Sequence, residues 1–364
     1  MHSRFLSFAA FAAVPLLGVG LAAQGKLPRP LPHEVDVKTP RLPDPHKGMG
    51  EVVAFTGDPP AAPERRSDID GPLADQLAAQ QPAAPFATVV WSTASDGRTW
   101  ASGATYKASF GTDGFTYVPF FGADAPRNYP VRFVLRRVEV GGRDLAFDAG
   151  PVAPERTGDR VVFRRGPVQE VYDAGPRGVE QSFVVDGALP GDVVVEIDVE
   201  GDLVEDESLP GIQFGNALGR VEYGDAFVVD GGRKLPIHST YAAGSIRLHV
   251  PASQRTAAAV VIDPVISTGY AATFPTHDFH NPDVAYDATT QTYLVVWQRN
   301  YSAEDIDVFC EVRAADGSFV SGTFGVIDNS SEHWSAPRVA NLNAYDRFLV
   351  VAERYVATNP AGQR

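Results

Sequence analysis

The sequence has little cysteine and fewer basic than acidic side chains. Cys310 is the single cysteine among 364 residues, so no intramolecular disulfide can form, and a chain of this length can bury a core without one. The alternating segment around Cys310 predicts a small buried strand residue rather than a reactive nucleophile. Lysine and arginine number 31 against 45 acidic residues, a formal net charge of −14. This balance disfavours nucleic acid and anionic lipid as partners.

Long apolar runs are missing after the first 23 residues, so no membrane insertion is expected beyond them. Residues 5–23 are apolar and small and follow one positive charge at Arg4, which is the order of a secretory signal peptide. The alternative is a membrane anchor, because the run is nearly long enough to span. Small residues near its end and the lack of a following basic cluster favour a signal peptide over residues 1–23, cleaved after Ala23. The expected location is secreted, periplasmic or at the cell surface.

Helical periodicity is also nearly absent from the rest of the chain. Residues 24–85 are rich in proline and poor in apolar side chains, which predicts a disordered leader that acts as a spacer or holds the folded part away from a surface. Residues 86–267 consist of short β-branched and aromatic runs between glycine-bearing turns. In residues 195–200 acidic and aliphatic side chains alternate strictly, the pattern of a half-buried antiparallel strand. Residues 86–267 are therefore predicted to form a β-sandwich or jelly-roll-like domain.

The segment from His280 to Val351 contains two copies of one pattern. Residues 280–286 align without a gap with residues 335–341, and residues 293–297 align with 348–352, a spacing of 55. Each full copy holds four short strands, and Asp316-Gly317 between two of them is a hairpin signal. Four strands in a period of this size indicate a propeller blade or a stacked β array.

Residues 268–364 are therefore predicted to hold one and a half propeller-type repeats of an all-β protein. A propeller typically closes with about four to eight blades. We expect the chain to be a truncated part of a longer protein; the alternative is that the final repeat docks differently.

Two parts of the chain resemble a known group of proteins. Residues 168–172 form a tyrosine turn, and residues 178–185 read glycine, aliphatic, glutamate, two variable positions, phenylalanine and valine. Residues 260–265 contain an aliphatic-Ile-Asp-Pro run. These features resemble the N-terminal β domain of exported bacterial proteins that carry β-propeller-type repeats, and the copies after residue 280 resemble their repeat modules. The resemblance implies architecture and export, and it offers no catalytic residues.

Two motifs resemble known kinds of site, an Asp-box turn and a metal-binding histidine pair, and we predict no function for either. Residues 93–100 resemble the Asp-box turn of sialidases, but Ser95 occupies the aspartate position and Asp96 comes one place late, so an ordinary Asp-Gly hairpin is expected. His277 and His280 are three apart, and His333 follows about one period later. They fall in a loop and strand entry with no further ligands, so histidines without metal are expected.

The acidic cluster at residues 198–207 has the composition of a calcium site. It lacks the spacing of a calcium loop and lies on an alternating strand, so a solvated acidic face is expected. No nucleophile elbow, phosphate loop or dinucleotide fingerprint is present. No catalytic, cofactor-binding or metal-binding residue is therefore predicted.

The sequence favours a non-catalytic exported protein that presents a β-rich binding surface to a protein or glycan at the cell surface or outside the cell. This function rests on analogy between folds. The alternative is the N-terminal part of a secreted glycan-active hydrolase whose active site lies in missing propeller blades. Propellers do host glycosidases, and the spacing of carboxylates along the chain cannot pair an acid with a base.

Overall fold

The computed structural model describes residues 12–13 and 89–355, except residues 95, 187–189, 231–232, 256–259, 271–278 and 321–324. The proline-rich leader and all but two residues of the predicted signal peptide lie outside the described residues. Within them the chain is all-β, with antiparallel sheets and two 3₁₀ turns at Ala252–Gln254 and Asn343–Tyr345. The predicted all-β class is confirmed, and none of these sheets closes into a barrel. Among the described residues no helix is long and apolar enough to cross a membrane.

The described strands fall into an early group that ends at Tyr270 and a late group that begins at Phe279. In chain order the early strands are β1 (Ala12–Ala13), β2 (Val90–Thr93), β3 (Thr99–Ser102), β4 (Tyr106–Gly111), β5 (Gly114–Pro119), β6 (Val131–Val140), β7 (Arg143–Asp144), β8 (Glu155–Thr157), β9 (Arg160–Arg165), β10 (Val168–Gly175), β11 (Gly178–Val185), β12 (Val193–Gly201), β13 (Val204–Glu205), β14 (Ile212–Gly215), β15 (Gly219–Tyr223), β16 (Phe227–Asp230), β17 (Arg233–Pro236), β18 (His238–Ala242), β19 (Ser245–Val250), β20 (Val260–Asp263) and β21 (Val265–Tyr270). The late strands are β22 (Phe279–Asp287), β23 (Thr292–Ser302), β24 (Asp305–Ala314), β25 (Gly325–Asp328), β26 (His333–Leu342) and β27 (Arg347–Tyr355).

The early strands form two large sheets that share one apolar core. One sheet has the order β18-β19-β12-β6-β5-β4-β3-β2 with β7 beside β6, and the other has the order β13-β14-β15-β21-β11-β10-β9-β8 with β16, β17 and β20 attached. Alternate residues of strands in both sheets point into the core, as Val193, Val195 and Ile197 do on β12 and Phe183 does on β11. The period of two predicted from the sequence is therefore the period of burial.

The late strands form a four-stranded antiparallel sheet, β22 to β25 in sequential order, followed by the hairpin β26–β27. We call these module 1 and module 2. The turn after β24 contains the predicted Asp-Gly pair, with Gly317 at a φ of 84° and its N–H donating to Ala314 O. Such a positive φ favours glycine, which explains the residue found there. The edge of β27 also pairs with β1.

Modules 1 and 2 carry the same backbone irregularities at positions 55 residues apart. Each hairpin has a register shift, between His280 and Asp283 in module 1 and between Ser335 and Arg338 in module 2. Positive φ angles of 49° at Asn281 and 51° at Ala336 accompany these shifts, and angles of 53° and 49° occur in the hairpin turns at Gln291 and Asp346. Conformations that L-residues rarely adopt thus recur at equivalent positions.

Candidate functional site

A buried cluster of charges joins the first large sheet to module 1. Lys107 lies on β4, which is buried along its whole length because one face contacts the apolar core and the other contacts module 1. Its ammonium Nζ lies 2.7 Å from Asp305 and 3.2 Å from Asp307, both on β24, and also donates to Ser330 O. The ring of Tyr301 lies 4.3 Å from the same nitrogen. One cation thus binds carboxylates about 200 positions away in the sequence.

The protonation of this cluster follows from burial and charge together. Burial alone would lower the pKa of Lys107, but the adjacent Asp305 and Asp307 outweigh it, so the pKa is raised and the ammonium stays charged. Burial raises the pKa of Asp307 well above its usual range, and Lys107 opposes that rise. All three side chains are closed to solvent. Their arrangement holds two sheets together and leaves no route for a substrate.

Arg299 adds a second buried cation to this contact between the first large sheet and module 1, which we call the charged joint. Its guanidinium donates to the carbonyl oxygens of Gly103 and Ala104 and lies 4.0 Å from the ring of Phe120. Asn329 donates to Val90 O, at 3.2 Å, on the edge strand of the same sheet. Because buried carbonyl oxygens need donors, these side chains replace hydrogen bonds that water would otherwise supply. The joint therefore fixes the orientation of module 1.

A second arrangement pairs two carboxylates, Glu180 on β11 and Asp263 on β20. They meet because β11 pairs first with β21 and then with β20, and the change of partner falls at Pro264, whose carbonyl accepts from Gln181 N. Asp263 is buried and accepts from Lys234 Nζ at 2.6 Å. The hydrogen bond with Asp263, then burial, then charge repulsion raise the pKa of Glu180 to about 7. Glu180 therefore keeps its proton to a higher pH than an ordinary glutamate does.

Glu180 could exchange a proton near neutral pH, but neither Glu180 nor Asp263 lines the cleft found on the described surface. That cleft has a volume of about 270 Å³ and is lined by Val204, Glu205, Asp206, Gly215, Asn216, Gly219 and Arg220. A general acid must lie within reach of a bound substrate. Since neither carboxylate lines the cleft, we assign the pair no catalytic role.

The carboxylate pair makes stability depend on pH in a defined window. Between the ordinary value of 4.5 and about 7, the unfolded chain releases the Glu180 proton before the folded chain does. Stability therefore falls as the pH rises through this window and stays lower above it. The variant Glu180→Gln keeps a donor to Asp263 but cannot ionise. We expect it to match the wild type at about pH 4 and to raise Tm by about 2 °C at about pH 8.

Thermal unfolding followed across this pH range by circular dichroism tests that expectation. Glu207→Gln, at an exposed loop position, is the matched control and should shift Tm equally at every pH. A Glu180→Gln difference in Tm that did not change with pH would contradict the raised pKa of Glu180.

The acidic cluster predicted at residues 198–207 is spread along the sheet surface among arginines. Asp198 bonds to Arg136, Glu200 lies 2.6 Å from Arg132, and Asp202 lies 2.9 Å from Arg127. Asp198, Glu200 and Asp202 are thus each paired with an arginine, an arrangement that binds calcium poorly. In the described part of the chain, no group of three or more His, Cys, Asp or Glu side chains is placed to hold a metal ion.

The histidines weighed as ligands occupy separate strands or fall outside the described residues. His277 is outside them, and His280 is exposed on β22. His333 lies on β26 with its ring 5.7 Å from that of Tyr355, and burial lowers its pKa. The structure therefore places His280 and His333 on different hairpins.

The Asp-box-like motif forms an ordinary hairpin between β2 and β3. Ser95 lies outside the described residues, but Ala94 N donates to Arg98 O, and Gly97 has a φ of 82°. Trp100 at the end of the motif is buried, with its ring 5.7 Å from Lys107 Nζ. Its role is to cover the charged joint.

Cys310 lies buried on β24, as the alternating pattern predicts. Burial raises the pKa of its thiol to about 11. The thiolate that nucleophilic chemistry requires is therefore scarce at neutral pH.

Comparisons with protein-family models, curated proteins and solved structures found no match for this chain. The candidate site therefore rests on the geometry alone. Its features are the closed charged joint, the carboxylate pair and the exposed surfaces of the two modules.

Proposed function

We propose that this chain is a non-catalytic exported protein in which a β-sandwich carries the start of a propeller-type repeat array. The array presents a binding surface to a protein or glycan at the cell surface or outside the cell. Support for the architecture comes from the two large sheets that share one core and from the sequential four-stranded sheet that follows them. The apolar first 23 residues support export.

The observation that carries the binding role is the exposed apolar face of module 1. Directly opposed residues of paired antiparallel strands share a face, so Val284, Tyr286, Tyr293 and Val295 form one surface, which we call the front face of module 1. Val295 packs against the cluster of Phe120 and Trp297, which leaves Val284, Tyr286 and Tyr293 as its open part. Val284 is 55% exposed, and the rings of Tyr286 and Tyr293 lie 4.6 Å apart. Exposed apolar patches mark interaction sites, and tyrosine suits both protein and sugar surfaces.

The placement of charges supports binding rather than catalysis. The Lys107 group is closed to solvent, and the acidic residues of β12 are balanced by arginines. A glycoside hydrolase needs two carboxyl groups at a cleft, one of them with a raised pKa so that it can act as the acid. Glu205 and Asp206 line the described cleft, but hydrogen bonds from Ser208 lower the pKa of Asp206. The proposal therefore predicts binding without turnover.

Cosedimentation of the purified protein with cell envelopes and envelope polysaccharide of the producing organism tests this function. The double variant Val284→Ser/Tyr286→Ser should weaken binding about tenfold, because aromatic anchors contribute most to such contacts. Val265→Ser is the matched control, since Val265 is 45% exposed on β21, in the early group of strands, and does not line the cleft. Equal binding by the double variant would contradict the assigned surface. Release of reducing sugar would instead favour the hydrolase alternative.

A further inference from the structure

The charged joint holds an amine and a carboxyl group side by side in a space closed to solvent. Lys107 Nζ lies 3.2 Å from each carboxyl oxygen of Asp307, and both side chains are fully buried. The nitrogen is equally close to both oxygens, so a turn of the carboxyl group about its Cβ–Cγ bond presents Cγ to it. Well-placed reactants of this kind can reach an effective concentration of about 10⁵ M or more. A reaction between these two groups needs no route for a substrate, because both belong to the chain.

A second carboxylate stands beside this pair and can accept a proton. Asp305 accepts from Lys107 Nζ at 2.7 Å, and Asn128 also donates to Asp305, which fixes its carboxylate. Burial raises the pKa of Asp307 well above its usual range, Lys107 opposes the rise, and the charge of Asp305 adds to it. Asp307 can therefore hold a proton, which makes its hydroxyl a group that can leave as water.

Aromatic rings keep water away from the amine. The ring of Tyr301 lies 4.3 Å from Lys107 Nζ, and the ring of Trp100 lies 5.7 Å from it. An ion pair keeps two charges in this closed space at a cost in desolvation, whereas an amide is neutral. Exclusion of water also disfavours the reverse reaction, which is hydrolysis of the amide. The surroundings therefore favour condensation of the two groups.

We propose that Lys107 and Asp307 of the folded protein condense slowly to an isopeptide bond, an amide between two side chains that links β4 to β24. The ammonium passes one proton to the Asp305 carboxylate, and the neutral amine attacks Cγ of the protonated Asp307. The C–N bond forms, the C–O bond to the Asp307 hydroxyl breaks, and this hydroxyl leaves as water with a second ammonium proton. The third ammonium proton stays on the amide nitrogen and Asp305 keeps the first, so the product is neutral at all three positions.

The supply of neutral amine limits the rate of this reaction. Burial lowers the pKa of Lys107, but Asp305 and Asp307 outweigh it and raise the pKa, so the neutral amine is the minor form. Freshly folded protein therefore carries the ion pair, and stored protein accumulates the amide. Lys234 Nζ lies 2.6 Å from Asp263 but its side chain is 59% exposed, so this second pair has the proximity without the closed site. It is an internal control and should form no amide.

Intact-mass spectrometry of the purified full chain, stored for a month below its Tm, tests the proposal. Condensation releases one water, so the mass should fall by about 18 Da during storage. Digestion of the unfolded protein should then yield one pair of peptides joined through Lys107 and Asp307. Lys107→Met should keep its mass throughout. Asp305→Asn retains both reacting groups but removes the proton acceptor, so we expect linkage at least about tenfold slower.

The wild-type mass decides the proposal even if a variant fails to fold. Stored wild type that is folded by circular dichroism and keeps its full mass would overturn it. A fall in mass without the joined peptides would place the lost water elsewhere, at an Asp-Gly step, and would overturn it too. A link through Asp305 would reject Asp307 as the acceptor, and an equal rate in folded Asp305→Asn would reject Asp305 as the proton acceptor. A link between Lys234 and Asp263 would show that proximity suffices and would reject the role of the closed site.

Discussion

Replacement of Lys107 by methionine is expected to lower the free energy of unfolding by about 3–5 kcal/mol. The cation is fully buried, and its removal leaves Asp305 and Asp307 in a space from which water is excluded. Methionine fills much the same volume, so the lost charge rather than a cavity dominates the effect. Urea unfolding followed by circular dichroism measures the loss.

Two comparisons separate lost charge balance from a general defect. The triple variant Lys107→Met/Asp305→Asn/Asp307→Asn carries no charge at these three positions and should recover more than half of the loss. Lys234→Met removes an ammonium whose side chain is 59% exposed, so its interaction with Asp263 is screened by water and its loss should cost under about 1 kcal/mol. Equal losses in Lys107→Met and the triple variant would contradict the electrostatic account.

The same variant should also change the way the protein unfolds. Lys107 lies on β4 and its carboxylate partners on β24, so the cluster couples the large sheets to module 1. With the coupling weakened, we expect calorimetry to resolve a low-temperature transition of the late strands from that of the large sheets. A single transition in Lys107→Met would show that the apolar contacts around Phe120 and Trp297 suffice for coupling.

The sequence predicts those parts of the fold that local patterns determine. Period-two alternation predicts the all-β class and the burial of Cys310, and the Asp-Gly pair predicts the turn at Gly317. Local patterns do not predict the charged joint, because a lysine on an alternating strand is normally exposed. One signal was present: Asp305 and Asp307 are two residues apart and share a face with Phe309 on an apolar strand. Two carboxylates on a buried face require a cation, but the sequence does not say which one.

The carboxylate pair could not be predicted because it depends on sheet pairing. Glu180 and Asp263 meet only because β11 changes partner from β21 to β20 at Pro264. An Asp-Pro step suggests a break in a strand, yet it does not identify the strand opposite it. Contacts between distant strands are fixed by register, which local sequence does not encode.

Replacement of Arg165 by methionine should lower the stability of the large sheets by about 3–5 kcal/mol, because it too removes a buried cation from beside a buried carboxylate. Arg165 Nε lies 2.5 Å from the Oε1 of buried Glu170, and Arg165 also donates to the carbonyl oxygens of Asp148 and Gly150. The variant leaves Glu170 as an unbalanced buried charge and also leaves two carbonyl oxygens without this donor.

A hydrogen-bond chain on the other side of Glu170 limits how the core can relax. Tyr172 donates to Glu170 Oε2 at 2.8 Å, Gln181 donates to Tyr172 at 3.1 Å, and Tyr223 donates to Gln181 at 3.1 Å. Burial, then the charge of Glu170, raise the pKa of Tyr172 well above its usual range, so its hydroxyl remains a donor. Each of these groups donates a hydrogen bond to the next, so Glu170 cannot rotate towards water without breaking this chain of hydrogen bonds.

Removing both charges separates the buried charge of Glu170 from the lost hydrogen bonds. Arg165→Met/Glu170→Gln should recover part of the loss seen in Arg165→Met, whereas Tyr172→Phe should cost about 1–3 kcal/mol. Urea unfolding measures all three variants. A loss in the double variant equal to that in Arg165→Met would mean that the two carbonyl oxygens, and not the charge of Glu170, dominate the contribution of Arg165.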